Sequence, residues 1–185
     1  VPVLATERLR LRGHGAGDFA PSAAMWADPL VTRHISGRGF SEEEVWSRLL
    51  RYVGHWALLG FGYWVVEERG TGRFVGEVGF ADYRRQLVPA LDGAPEIGWV
   101  LAPDAQGRGY ATEAVRAAVA WGDTHFGATR TACIIHPDNA ASVRVAVKCG
   151  YRANGTAAYK GEPVLLFVRD PERAPETGAA PRRES

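Results

Sequence analysis

Alternation of apolar and charged residues marks the first element of the chain. Thr6 to Arg12 (Thr-Glu-Arg-Leu-Arg-Leu-Arg) places Leu9 and Leu11 on one side and charges on the other, the pattern of a half-buried strand. Asp18 is placed to cap a short helix through Ala27, and Asp28-Pro29 closes it. Val31 to Phe40 contains Gly37 and Gly39 and reads as loop. Ser41 and Glu44 then form a capping-box pair, with Phe40 and Val45 at the hydrophobic-staple positions. Val45, Leu49, Tyr52, Val53 and Trp56 continue as one helical stripe until Gly60 and Gly62.

The second half alternates strands and helices. Tyr63 to Glu68 and Phe74 to Asp82 predict two strands joined by the hairpin residues Arg69-Gly70-Thr71-Gly72. Arg84 to Ala94 is polar and contains proline, so no regular structure is expected there. Glu96–Leu101 predicts a strand, and a helix is expected over Thr112–Phe126 with Ala114, Val115, Ala118 and Val119 buried. Thr131 to Ile135 is short and apolar throughout, which predicts a central strand covered on both faces. A helix from Asn139 stops at Gly150, and closing strands are expected near Arg152–Tyr159 and Val164–Arg169. The order of elements gives an α/β (α+β) domain over residues 1–170, with no internal repeat or linker. Residues 171–185, rich in Pro, Ala, Arg and Glu, read as a disordered tail.

Bulk properties exclude more than they identify. The chain has 185 residues, 46% apolar and 23% charged, with a formal net charge of +1. That charge supplies no pull toward nucleic acid or membrane surface. No apolar run reaches the roughly 18 residues of a spanning helix, and the N-terminus lacks a signal-peptide pattern. Cys133 and Cys149 have no metal or redox spacing, and no two of the histidines stand four apart, so no metal is expected. A reduced, cytoplasmic setting is the default expectation, with the chain as monomer or homodimer.

Chemistry concentrates in the loop Gln106-Gly107-Arg108-Gly109-Tyr110-Ala111, between a strand and a helix. Glycines let a ligand approach the backbone, and a helix N-terminus presents unpaired N–H groups and partial positive charge. Together they suit a phosphate. A Walker loop would need Gly-Lys-Ser/Thr, which is absent, and a dinucleotide fingerprint would need glycine where Thr112 stands. The spacing Gln/Arg-x-x-Gly-x-Gly/Ala remains, matched by Gln106, Gly109 and Ala111. A second segment, Asn139-Ala-Ala-Ser142 through Lys148-Cys-Gly150-Tyr151, has the form Asn-x-x-Ser…Lys-x-Gly-Tyr.

In these two segments the chain resembles the GCN5-related N-acetyltransferase family, with features of its branch acting on ribosomal-protein N-termini. The resemblance implies a single acetyltransferase domain with a mixed central sheet flanked by helices. It also implies an enzyme moving the acetyl group of acetyl-CoA to a primary amine of a peptide or small molecule. By the same resemblance, Gly107, Arg108, Gly109, Tyr110, Ala111 and Thr112, with Gln106, hold the pyrophosphate. Asn139 meets the pantetheine arm or serves only as helix cap. A backbone N–H near Trp99, Val100 or Leu101 supplies the oxyanion donor. Many members place a tyrosine seven residues after the asparagine, where this chain has Ala146. Ser142 or a water is left to protonate the thiolate, although Ser142 equally suits a helix start. Glu96 is the expected base and Glu77 the alternative, both being carboxylates in apolar strands. Trp26, His34, Phe40, Trp46 and Tyr83 are expected around the acceptor. The favoured acceptor is an α-amine of a protein N-terminus or an amino-acid-like compound, which is largely neutral at lower pH than a lysine amine; an aminoglycoside or polyamine acceptor, and a non-catalytic acetyl-CoA binder, are the alternatives.

Overall fold

The computed structural model describes residues 1–91 and 93–171. Apart from Pro171, the segment expected to be disordered lies outside the described residues. Among the described residues, nine strands form one sheet: β1 (Leu4–Ala5), β2 (Leu9–Arg12), β3 (Tyr63–Glu68), β4 (Phe74–Ala81), β5 (Leu87–Val88), β6 (Glu96–Leu101), β7 (Thr131–Ile135), β8 (Arg152–Tyr159) and β9 (Glu162–Arg169). Their spatial order is β1-β2-β3-β4-β6-β7-β9-β8-β5. The β6–β7 pair is parallel and the other pairs are antiparallel, so the sheet is mixed, as expected.

The described residues also form the helices that cover the sheet: α1 (Phe19–Ala27), α2 (Pro29–Thr32), α3 (Glu42–Leu59), α4 (Tyr110–Phe126) and α5 (Ala140–Lys148). The main core joins Ala114, Val115 and Ala118 of α4 and Ala146 of α5 to Leu9, Trp64, Val78, Ile97, Cys133 and Phe167 on one sheet face. On the other face, Met25, Trp26, Val31 and Val45 of α1–α3 pack with Val100 and Ala102. Side chains alternate along β6, so Ile97, Trp99 and Leu101 face α4 while Val100 faces α1.

The α3 boundaries follow the sequence signals. Ser41 Oγ accepts from Glu44 N–H at 3.3 Å, and Glu44 accepts from Ser41 N–H at 2.8 Å. Gly60 ends the helix in the left-handed region, φ 74°.

Three expectations are corrected. Asp28-Pro29 ends α1 but also starts α2, because Asp28 accepts from Leu30 N–H at 2.7 Å and Pro29 has its φ preset for a first helical residue. The 31–40 stretch is therefore partly helical. The excursion at 84–94 contributes β5, paired with Ala158 and Tyr159 at the sheet edge, where a following proline is tolerated. Helix α4 begins at Tyr110 and not at Thr112, because Gly109 takes the N-cap position with φ 81°.

Across the centre of the sheet, Tyr63 lies beside Gly79 and reaches over Gly98; a methyl group on Gly98 would overlap the Tyr63 hydroxyl. Tyr63 stacks on Tyr52 of α3 at 4.4 Å between ring centroids. Next to this pair Glu77 is buried, at 1% exposure. It accepts from Ser22 Oγ at 2.5 Å and Trp26 Nε1 at 3.0 Å, with His14 Nε2 at the ionic distance of 3.7 Å. Burial alone would raise the Glu77 carboxyl, but His14 and the two donors more than offset it and hold it below the usual carboxylate range. A depressed folded-state pKa contributes stability above the unfolded value of about 4.3, and that contribution disappears as pH falls through the folded value. The urea midpoint is therefore expected to drop on acidification below about pH 4.3, with a shallower drop in Glu77→Gln. Parallel acid limbs in the two proteins would count against this account.

Candidate active site

The central parallel pair is joined at one end only. Glu96 pairs with Ala132, and β6 and β7 share no further register. Pro95 O accepts from Ala132 N–H at 3.1 Å, which turns its carbonyl toward β7. Backbone groups alternate sides along a strand, so Ile97, Trp99 and Leu101 turn theirs into the gap beyond that contact. Ala102 N–H instead donates to Val75 O at 2.9 Å, on the β4 side. Val100 shares that side. Of the three expected donor positions, Trp99 and Leu101 thus face the gap and Val100 does not.

At the open end of the gap the glycine loop runs into α4. Gln106 Nε2 donates to Leu101 O at 3.1 Å and fastens the loop to the end of β6. Gly107 and Gly109 both have positive φ, 74° and 81°, and space is open beside Gly107. Gly109 has no capping side chain, and the helical ladder begins with Glu113 N–H to Gly109 O at 3.2 Å. The N–H groups of Tyr110, Ala111 and Thr112 consequently lack intrahelical acceptors. These amides form a cradle suited to an anion.

Side chains of the same loop turn elsewhere. Tyr110 Oη donates to Glu68 at 2.7 Å, and Arg108 Nη1 stands 3.3 Å from the same carboxylate. Arg8 Nη1 donates to Arg108 O at 3.0 Å, while Glu113 accepts from Thr6 Oγ1 at 2.6 Å and from Arg8 N–H at 2.9 Å. Arg8 and Glu113 thus clamp the cradle to the β1–β2 corner. Sequence reading gave them no role, because residues so far apart carry no local signal of their pairing.

On the opposite side of the gap, Asn139 caps α5. Its Oδ1 accepts from Ser142 N–H at 3.1 Å, and among the described residues its amide NH₂ is left for another acceptor. Ser142 is half-buried and its hydroxyl has no partner among the described residues. Ala146 is fully buried in the main core.

A family model described as Acetyltransferase (GNAT) domain matches residues 8–152. The chain belongs to the GNAT acetyltransferases. An acetyltransferase of the GnaT family from Bordetella pertussis is 32% identical, with 91% of this chain and 99% of that one covered and a TM-score of 0.80. The protein YkkB of Bacillus subtilis is 31% identical over 90% of this chain and 94% of its own length. The N-acetyltransferase YoaA of the same organism is 27% identical, covering 83% of this chain and 85% of its own. RimL, a ribosomal L7/L12 alpha-N-protein acetyltransferase solved with coenzyme A, covers 91% of this chain and 98% of its own at TM-score 0.73; at 16% identity it shows a shared fold. As a GNAT protein the chain is an acetyl-CoA-dependent N-acetyltransferase. Its residues fit that co-substrate: an open strand edge, an uncapped helix N-terminus and two glycines that leave the backbone accessible.

In this GNAT domain α4 and α5 occupy one face of the gap, and α1–α3 lie on the other. Glu96 lies there, 7% exposed at its side chain, with Arg85 Nε and Nη2 donating to it at 2.7 and 2.9 Å. Burial works against the Arg85 cation, and Glu96 more than restores it. Arg85 also stacks on Tyr83 at 4.5 Å and Tyr159 at 4.7 Å. No sequence signal linked Arg85 to Glu96, because the segment carrying it has no periodicity. Of the expected acceptor lining, Trp26 is buried at 2% exposure, whereas Trp46 is 41% exposed and packs edge-on to Phe19. His34 reaches His136, just past β7, at 5.2 Å between ring centroids.

Proposed function

We propose that this acetyltransferase acts on an α-amine, at a peptide N-terminus or on an amino-acid-like compound. The supporting observation is the state of the two carboxylates on the α1–α3 face, the acceptor face in this reading because α4 and α5 cover the other. Glu77 is enclosed by Ser22, Trp26 and His14, and Glu96 is held by Arg85. Neither is left to attract the multiple cationic groups of a polyamine or aminoglycoside. An α-amine, with a pKa near 7.7–8.0, is already neutral in appreciable share at pH 7, while a lysine amine at about 10.4 is neutral in roughly one molecule in a few thousand.

Roles follow the geometry. The N–H groups from Gly107 to Thr112 bind the pyrophosphate, with Arg108 held back by Glu68. The Asn139 amide donates to the pantetheine arm. Trp99 or Leu101 N–H donates to the developing oxyanion. Ser142 Oγ stands on the α5 side as the proton donor for the leaving thiolate, in place of the tyrosine absent at Ala146.

Competition between three amines tests the acceptor. With a free-N-terminus peptide, an N-blocked lysine peptide and an aminoglycoside present together, acetylation is expected on the first by at least about tenfold, following the neutral-amine fractions. Preferred acetylation of either of the others would overturn the α-amine reading. Acetyl-CoA binding without turnover of any amine would leave a binding protein.

A further inference from the structure

Glu96 is bound to Arg85 and Glu77 lies beneath α1, so neither is placed to take a proton from an incoming ammonium. The opposite rim of the gap offers a different group. Four residues on from the Glu96–Ala132 pair, His136 follows the end of β7, on the far rim of the gap that opens beyond that pair. It therefore faces the stretch of β6 where Trp99 and Leu101 turn their N–H groups into the gap. Ile135 points into the main core with α4 and α5. Alternation turns His136 to the other face, from which the acceptor comes, and its contact with His34 there agrees. Val31 of α2 belongs to the cluster against which Val100 and Ala102 pack at the end of β6. The stretch from α2 to His34 thus crosses from β6 to β7 over the gap.

We propose that His34 is the base that removes the acceptor's ammonium proton, with His136 as the residue that positions it. The inference rests on the acetyl-transfer reading above. Both rings are accessible: His34 is partly exposed and the His136 side chain is 40% exposed. Partial burial lowers the His34 pKa, and Arg33 on its own segment and His136 across from it lower it further, against an opposing pull from Asp138. His34 is thus chiefly neutral at pH 7, the state a base requires. His136 has a fixed tautomer, since its Nδ1 accepts from Asp138 N–H at 3.1 Å. The two rings touch without a hydrogen bond between them among the described residues, so the one acceptor nitrogen of neutral His34 stays open to the ammonium.

The balance is simple. A ring nitrogen of His34 takes one proton from the ammonium, and the freed lone pair attacks the thioester carbonyl. The C–S bond breaks, Ser142 Oγ gives its proton to the thiolate and recovers the second proton lost by nitrogen, and His34 returns its proton to water.

His34→Gln is the test, with coenzyme A affinity measured beside turnover. At pH 7 kcat/KM is expected to fall by about 100-fold, the acidic limb of the pH–rate profile to vanish, and the coenzyme A Kd to stay within about twofold. NMR titration of the free protein supplies a second readout: the His34 midpoint should lie below about 6.5 and rise in His136→Asn, which removes a neighbour that lowers it. An active wild type with an unchanged pH profile in His34→Gln, or a His34 midpoint indifferent to His136→Asn, would overturn the assignment. A wild type that binds coenzyme A yet acetylates no amine would overturn the acetyl-transfer reading and His34's role with it.

Discussion

Replacing Gly109 with valine is expected to weaken acetyl-CoA binding by about 100-fold, equivalent to roughly 2.7 kcal/mol. Two effects act at this position. The residue has φ 81°, where a β-branched side chain costs about 1–3 kcal/mol. It also leads directly into the unpaired amides of α4, so a shift that relieves the strain disorders the cradle. Folding stability should fall only by the strain, about 1–3 kcal/mol. Gly93 is the control, since it has φ 76° with nothing within 4 Å of an added Cβ. Gly93→Val carries similar strain at a distance from the cradle and should leave the Kd unchanged. Calorimetric titration of both variants, beside their urea curves, separates the contributions. Equal affinities in Gly109→Val and the wild type would remove the loop from the binding site.

What the sequence disclosed about this fold was its local physics. The capping box at Ser41 and Glu44, the stripe along α3 and the apolar run of β7 each lie within a few residues and follow from periodicity and capping. The glycine spacing before α4 and the Asn139 cap were legible for the same reason. The grip of Arg85 on Glu96 was not, because it joins a segment without periodicity to a strand. Nor was the direction of Val100, which depends on the β6–β7 register at Glu96 and Ala132. His136 stood in view beside Asn139, but its meeting with His34 depends on how α2 packs over the end of β6. The residues proposed for phosphate recognition sit on consecutive backbone and can be read in line. Those proposed to meet the acceptor come from separate elements, and only packing assembles them.

Glu96→Ala is expected to cost about 3–5 kcal/mol of folding stability. The Arg85 side chain is only 21% exposed and lies against both Tyr83 and Tyr159, so it cannot swing out to water without giving up those contacts. Removing the carboxylate leaves a half-buried cation without its counter-charge. Removing both charges relieves that penalty, so Glu96→Ala combined with Arg85→Met should recover much of the loss. Turnover should also fall in Glu96→Ala, because Arg85 leads into β5 and the pair ties that segment to the joined end of β6 and β7. The shape of its pH profile should nevertheless stay that of the wild type, since the proton acceptor remains. This separates Glu96 from His34, whose loss changes the profile and spares stability. A Glu96→Ala protein of wild-type stability that lacks the acidic limb would return the base to Glu96 and leave His34 a lining residue.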